Sequence, residues 1–275
     1  MEPMLAAAAA CPGPNGDQEP SNSPSSRADE IRCHWGPDSK QYMFSREQFD
    51  AACDFLCRVW DITELKREQK ETLECLFQGR DTLSLLPTGY GKTLSFEGLV
   101  LLFDYLFNGD PRLPGRLRPS DPAFCNPVLV VISPLTQLIL RQVADFNTKM
   151  TSGTTKCTWL NAICAYTSEG TVADAKSDTA RRIYSGKANV VFLSPGLVTK
   201  KGRYRKVLTS AAYTGRIVGF IVDEVHCVEH WGLDFRPEYR LLSTCRALLG
   251  YRVPVAVSLP HSHLRINALS PLCSE

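Results

Sequence analysis

Lys92 and Thr93 close the stretch Leu83-Ser84-Leu85-Leu86-Pro87-Thr88-Gly89-Tyr90-Gly91-Lys92-Thr93-Leu94, in which a short apolar strand meets a glycine-bent turn and an apolar helix start. That order builds a phosphate cradle. Gly89 and Gly91 let the backbone turn tightly and aim successive N–H groups inward, Lys92 brings positive charge to the β- and γ-phosphates, and the Thr93 hydroxyl can ligate Mg²⁺. Leu86 stands where the strictest form of the pattern has another glycine. Taken alone, the loop therefore also reads as an ordinary turn between strand and helix. Far along the chain, Ile217-Val218-Gly219-Phe220-Ile221-Val222 is apolar throughout, as a strand buried on both faces of a parallel sheet should be, and runs into Asp223-Glu224-Val225-His226. Two acids at such a strand tip occupy the crevice where nucleotides bind. The first can hold Mg²⁺ through its hydration shell, and the second can take a proton from an attacking water. Two solvated acids ahead of a helix is the plainer reading, and the upstream phosphate loop weighs against it. The pair together points to a nucleoside triphosphatase.

Such residues need a sheet to hold them, and the hydrophobic pattern supplies one. A helix is expected over 45–60, with Ser45 as N-cap and Phe49, Cys53, Leu56 and Cys57 on its apolar face, and another over 67–77. A strand over 82–86 leads into the loop, and an almost wholly apolar helix over 93–107 leads out of it. After a loop rich in Pro and Arg (108–127) come a strand at 128–132 and a helix marked by Leu135, Leu138, Ile139, Gln142, Val143 and Phe146. Further strands are expected near 162–166, 190–193, 217–222 and 253–257. Alternation of strand and helix with short turns favours a parallel sheet with helices on both faces.

Composition sets the limits. The chain has 275 residues, 44% of them hydrophobic, enough for one sizeable core. A formal net charge of +2 excludes a polybasic coat, so nucleic-acid contact would come from local patches. Eleven irregularly spaced cysteines fit a reducing compartment. Cys53 and Cys57 lack a second pair at ligand spacing and read as small core residues. Residues 1–40, rich in Pro, Ser, Gly and Asp, read as a disordered leader. The alanine run near the start lacks the basic residue of an export signal, and no stretch reaches the roughly 18 apolar residues of a membrane span.

The segment Asp223-Glu224-Val225-His226-Cys227-Val228-Glu229-His230-Trp231-Gly232-Leu233-Asp234-Phe235-Arg236-Pro237-Glu238-Tyr239-Arg240 resembles the DEAH box and aromatic-rich loop of RecQ-type DNA helicases of superfamily 2. Three further matches follow the family's order: Leu65-Lys66-Arg67-Glu68-Gln69 with Gly79-Arg80-Asp81 resembles the adenine-reading motif, Val131-Ile132-Ser133-Pro134-Leu135 resembles motif Ia, and Val191-Phe192-Leu193-Ser194-Pro195 resembles motif Ib. Val225, Gly196 and the Lys66-Arg67 pair depart from the usual residues. The strand leading to motif III runs into Pro260-His261-Ser262-His263-Leu264 in place of the usual turn.

The resemblance implies a RecA-like P-loop lobe over 41–259, a tail over 260–275 unlike the family, and no room for the family's second lobe. It implies ATP and Mg²⁺ as cofactors, DNA (single-stranded or partly duplex) as partner, 3′-to-5′ strand separation, no membrane, and a nuclear address with cytoplasm as the alternative. Lys66 and Gln69 would read adenine, and Pro87, Thr88, Gly89, Tyr90, Gly91, Lys92 and Thr93 would hold the phosphates. Thr93 and Asp223 would hold the metal, the latter through water. Glu224 would activate water, with His226 bridging the ATP site to motif III. Ser133, Pro134, Ser194, Pro195, Trp231, Asp234, Phe235, Arg236 and Tyr239 would touch DNA or couple it to hydrolysis, and the basic run of residues 200–206, with Tyr204 inside it, would track phosphates. A lobe completed by another chain or acting on a full-length helicase, and a module that binds nucleotide or DNA without turnover, are the alternatives.

Overall fold

The computed structural model describes residues 30–35, 40–87, 89–109, 126–152, 155–168, 171–172, 178–198, 204–224, 249 and 253–259. A hairpin, β1 (Glu30–Trp35) and β2 (Lys40–Ser45), opens the fold and leads directly into α1 (Arg46–Trp60). Ser45 Oγ accepts from the Gln48 amide, and Gln48 Oε1 accepts from the Ser45 amide, so the first turn of α1 is capped from both sides. Cys53 and Cys57 lie buried on its core face. After α2 (Arg67–Phe77), strand β3 (Thr82–Leu85) runs to the phosphate loop, from which α3 (Lys92–Asp104) departs, ending in a widened turn at Tyr105–Gly109.

The remaining elements are β4 (Val128–Ile132), α4 (Thr136–Ser152), β5 (Ala162–Ala165), the two-residue strands β6 (Thr167–Ser168) and β7 (Thr171–Val172), α5 (Asp178–Tyr184), β8 (Val190–Leu193), α6 (Arg205–Leu208), β9 (Ile217–Val222) and β10 (Val255–Leu259). Six strands form one parallel sheet in the order β3-β10-β9-β4-β8-β5. Side chains alternate across it. Leu129 and Val131 of β4 join the core built from α1 to α4, whereas Val128, Val130 and Ile132 join the opposite core with residues of α5 and α6. This is why these strands read as unbroken apolar runs. Among the described residues, no helix is long and apolar enough to cross a membrane.

Two expectations change. Strand β1 lies inside the stretch 1–40 assigned to a disordered leader, so ordered backbone begins before position 41. Its Ile31 pairs with Phe44, and both are buried. The hairpin is held by aromatic packing, with Phe44 against Phe77 and Phe107 at centroid distances of 5.4 and 5.2 Å. The last strand is shifted from 253–257 to Val255–Leu259, because the Val255 amide is pinned by Asp81 Oδ1 at 2.8 Å, beside the start of β3.

Helices α1, α2 and α3 meet at Gly98, where an added Cβ would lie 2.3 Å from Leu56 Cδ1 and 3.3 Å from Leu73 Cδ2. Both leucines are fully buried and have nowhere to retreat. Gly98→Val is expected to destabilise the fold by about 1–3 kcal/mol through overpacking, measured as a lower midpoint in urea unfolding.

Candidate active site

The phosphate loop owes its shape to two left-handed glycines, Gly89 at φ 77° and Gly91 at φ 89°. At Gly91 a side chain is excluded twice over, since a Cβ would lie 2.5 Å from Gln69 Nε2. The loop is clasped by the start of α2. Gln69 is buried; its Oε1 accepts from the Lys66 amide at 2.9 Å, and its Nε2 donates to the carbonyls of Tyr90 (3.1 Å) and Gly91 (3.2 Å). Lys66 Nζ donates to the same Tyr90 carbonyl at 3.1 Å and sits 3.9 Å from the centre of the Tyr90 ring. The Tyr90 hydroxyl donates to the Glu68 carboxylate, which raises the phenol and lowers the carboxyl from their ordinary pKa values. The two residues expected to read adenine thus brace the phosphate loop here.

Across the sheet, β10 lies between β3 and β9, so the loop and the acidic pair sit on strand tips that are one strand apart. They still converge. Lys92 Nζ stands 4.0 Å from Glu224 Oε1, with both side chains mostly shielded from solvent. Asp223 continues the sheet past the end of β9, its amide donating to the Ile132 carbonyl at 2.9 Å. Glu224 then adopts φ 55°, an uncommon backbone for a side-chain-bearing residue. Asp223 is 3% exposed, and burial, then the neighbouring Glu224 charge, push its carboxyl up from 3.8 to about 6. The Ser258 hydroxyl, Lys92 and the Glu224 amide pull in the other direction. A hydroxyl and a carboxylate are hard oxygen donors, and a buried acid made costlier by a like charge is relieved by a cation. The pair Thr93 and Asp223 therefore fits Mg²⁺.

Other expectations fare differently. At Ser133 and Ser194, expected to touch DNA, the backbone amides are engaged by the sheet: the Ser133 amide donates to Leu193 O and the Ser194 amide to Ala165 O, both at 3.1 Å, extending the sheet by one residue. Ser133, Pro134, Ser194 and Pro195 are all buried, and Leu135 is the exposed residue of its turn. Tyr204, expected as an aromatic within a phosphate track, is a core residue packed against Tyr184 at 5.6 Å, leaving Arg205 and Lys206 as the described part of that run nearer solvent. Thr88, His226, Trp231, Asp234, Phe235, Arg236 and Tyr239, with residues 200–203, lie outside the described residues.

Two polar residues around the loop escaped notice as site residues. Glu97 lies on α3 one turn beyond Thr93 and is buried, with Oε1 unpaired among the described residues. Burial first, then the charges of Asp145 and Asp223, raise its carboxyl well above the ordinary value. Gln142, on the core face of α4, donates through Nε2 to Thr93 Oγ1 at 3.3 Å. Leaving a buried polar atom unsatisfied costs about 1–3 kcal/mol, so polar residues at apolar-face positions of a helix were the available signal.

Comparison with known proteins agrees with this geometry. The family model for DEAD/DEAH box helicases matches residues 66–259. The RecQ-like DNA helicase blm-1 of Caenorhabditis elegans is 27% identical over 231 residues, covering 78% of this chain and 20% of its own length. The ATP-dependent helicase SGS1 of Saccharomyces cerevisiae is 26% identical over 187 residues, 68% of this chain and 11% of its own. The chain thus spans a fifth or less of these two relatives. In fold it is similar to the DUF1998 helicase MrfA in its DNA-bound crystal structure, with TM-score 0.57 and 14% identity over 83% of this chain and 28% of that one. A glycine-shaped phosphate loop facing a strand-tip Asp-Glu pair, within a match that takes in most of the chain, places this protein in the DEAD/DEAH box helicase family.

Proposed function

We propose that the chain is the nucleotide-binding lobe of a RecQ-type ATP-dependent DNA helicase, and that it acts in 3′-to-5′ strand separation in the nucleus. The observation that carries the reading is the 4.0 Å approach of Lys92 Nζ to Glu224 Oε1. It brings a phosphate-binding lysine and a candidate base together with both side chains mostly shielded from solvent. The roles follow from position. The loop amides and Lys92 hold the triphosphate, Thr93 and Asp223 hold a divalent cation, and Glu224 orients water and takes its proton. A bound Mg²⁺ would neutralise charge on the phosphates. Gln69 and Lys66 are assigned to sensing the base, a reading supported by their bonds to the Tyr90 and Gly91 carbonyls of the loop.

Single-stranded DNA is assigned to the C-terminal edge of the sheet, where the turns after β4 and β8 end. Asp234, Phe235 and Arg236 are assigned as the coupling loop and His226 as its link to hydrolysis, on their resemblance to RecQ motifs. The lobe is assigned to residues 41–259 together with the preceding strand β1, which pairs with β2. In the test, ATP hydrolysis is measured with and without single-stranded DNA, using Lys92→Ala as control. DNA-stimulated turnover that disappears in Lys92→Ala is expected. ATP binding with no turnover under either condition would favour a binding module, and turnover that survives Lys92→Ala would refute the assignment of the loop.

A further inference from the structure

Gln142 lies between Ile139 and Phe146 on the buried face of α4, a position that an amphipathic helix ordinarily fills with an apolar residue. Its Nε2 donates to Thr93 Oγ1, while its Oε1 has no partner among the described residues. A half-satisfied amide in the core does not improve the fold, so its reason lies in what its donor touches. Threonine, unlike valine or isoleucine, is not held to one side-chain rotamer by a helical backbone. The hydroxyl has one proton and two lone pairs. A donor fixed on one lone pair selects the rotamer and sets the direction of the other.

We propose that Gln142 is a positioning residue for the Thr93 hydroxyl: from the core face of α4 it aims the free lone pair at a divalent cation bound with a nucleoside triphosphate. This rests on the reading of the phosphate loop given above. Helix α4 begins at Thr136, directly after Ser133-Pro134-Leu135. The hydroxyl is therefore referenced to a second element of the lobe as well as to its own helix.

The experiment uses Gln142→Leu, which keeps volume and removes both polar atoms, together with Thr93→Val and the double variant. Affinity for a fluorescent, non-hydrolysable ATP analogue is measured in magnesium chloride and in EDTA, and thermal melting verifies folding. Gln142→Leu is expected to melt no lower than the unaltered protein. It should weaken analogue binding roughly threefold to tenfold, the effect of one hydrogen bond, with the loss confined to the magnesium condition. The double variant should match Thr93→Val alone, because both changes remove the same contact. An unchanged magnesium advantage in Gln142→Leu, or losses that add in the double variant, overturns the assignment. If the unaltered protein binds no analogue in either condition, the nucleotide-site reading falls with it. Tight binding by the unaltered protein beside an unaffected Gln142→Leu sinks this inference alone.

Discussion

Glu224→Gln is expected to lower single-turnover ATP hydrolysis by about 10²–10⁴-fold, the usual contribution of a positioned general base, while ATP affinity stays equal or tightens. An amide has the carboxylate's shape but cannot accept the proton of an attacking water. Substrate binding should be spared because Glu224 opposes it in one respect. Its negative charge is the second cause, after burial, that raises Asp223. With that charge gone, Asp223 ionises at lower pH and is a better cation ligand. Lys92 also loses the carboxylate 4.0 Å from its ammonium group and is freed for phosphate. Lys92→Ala gives the contrasting result, in which binding fails first. Hydrolysis by Glu224→Gln within tenfold of the unaltered protein would remove Glu224 from the role of base.

That contrast depends on two segments more than a hundred residues apart, and both could be read from the chain because each carries its chemistry within a few consecutive residues. Glycines leading into Lys-Thr, and an acid pair closing an apolar run, need no knowledge of neighbours. The strands 128–132, 190–193 and 217–222 were legible for a related reason. Burial on both faces leaves only apolar residues, and each is found at those bounds. What eluded the sequence is set by tertiary placement. Insertion of β10 between β3 and β9 is a choice of strand order that no local pattern records.

Gln69 is polar and near the site, but its commitment to the Tyr90 and Gly91 carbonyls is visible only once α2 is docked against the loop. Tyr204 lies beside a basic run yet turns inward, since an aromatic ring gains more from the core next to Tyr184 than from solvent. The opening hairpin was within reach: Ile31, Cys33 and Trp35 alternate on one side of Gly36-Pro37-Asp38, and Tyr42 and Phe44 alternate on the other. Averaging composition over residues 1–40 concealed that signal.

Asp223→Asn should have opposite effects on folding and on nucleotide binding. In the metal-free protein the Asp223 carboxyl is raised from 3.8 to about 6. Well below pH 3.8 it is protonated both folded and unfolded, and the substitution should change little. Between pH 4 and 6 the unfolded chain surrenders its proton before the folded one does. Stability of the unaltered protein therefore falls with rising pH, whereas the asparagine variant escapes this loss. Two pKa units correspond to about 2.7 kcal/mol, so above pH 6 the variant should be more stable by up to about that amount. At pH 5 the gain should be partial. Glu97, raised in the same direction, remains in both proteins and does not affect the comparison. Nucleotide binding should reverse the ranking. The magnesium-dependent part of ATP affinity should rise with pH through about 6 in the unaltered protein and be lost in Asp223→Asn. Urea unfolding at pH 5 and 8 without metal, paired with ATP titrations in magnesium and in EDTA, measures both arms. A variant that is less stable at pH 8, yet keeps its magnesium dependence, would show that the buried carboxylate serves the fold. The expected outcome has the fold tolerating a costly buried charge because a cation held with the triphosphate is what stabilises it.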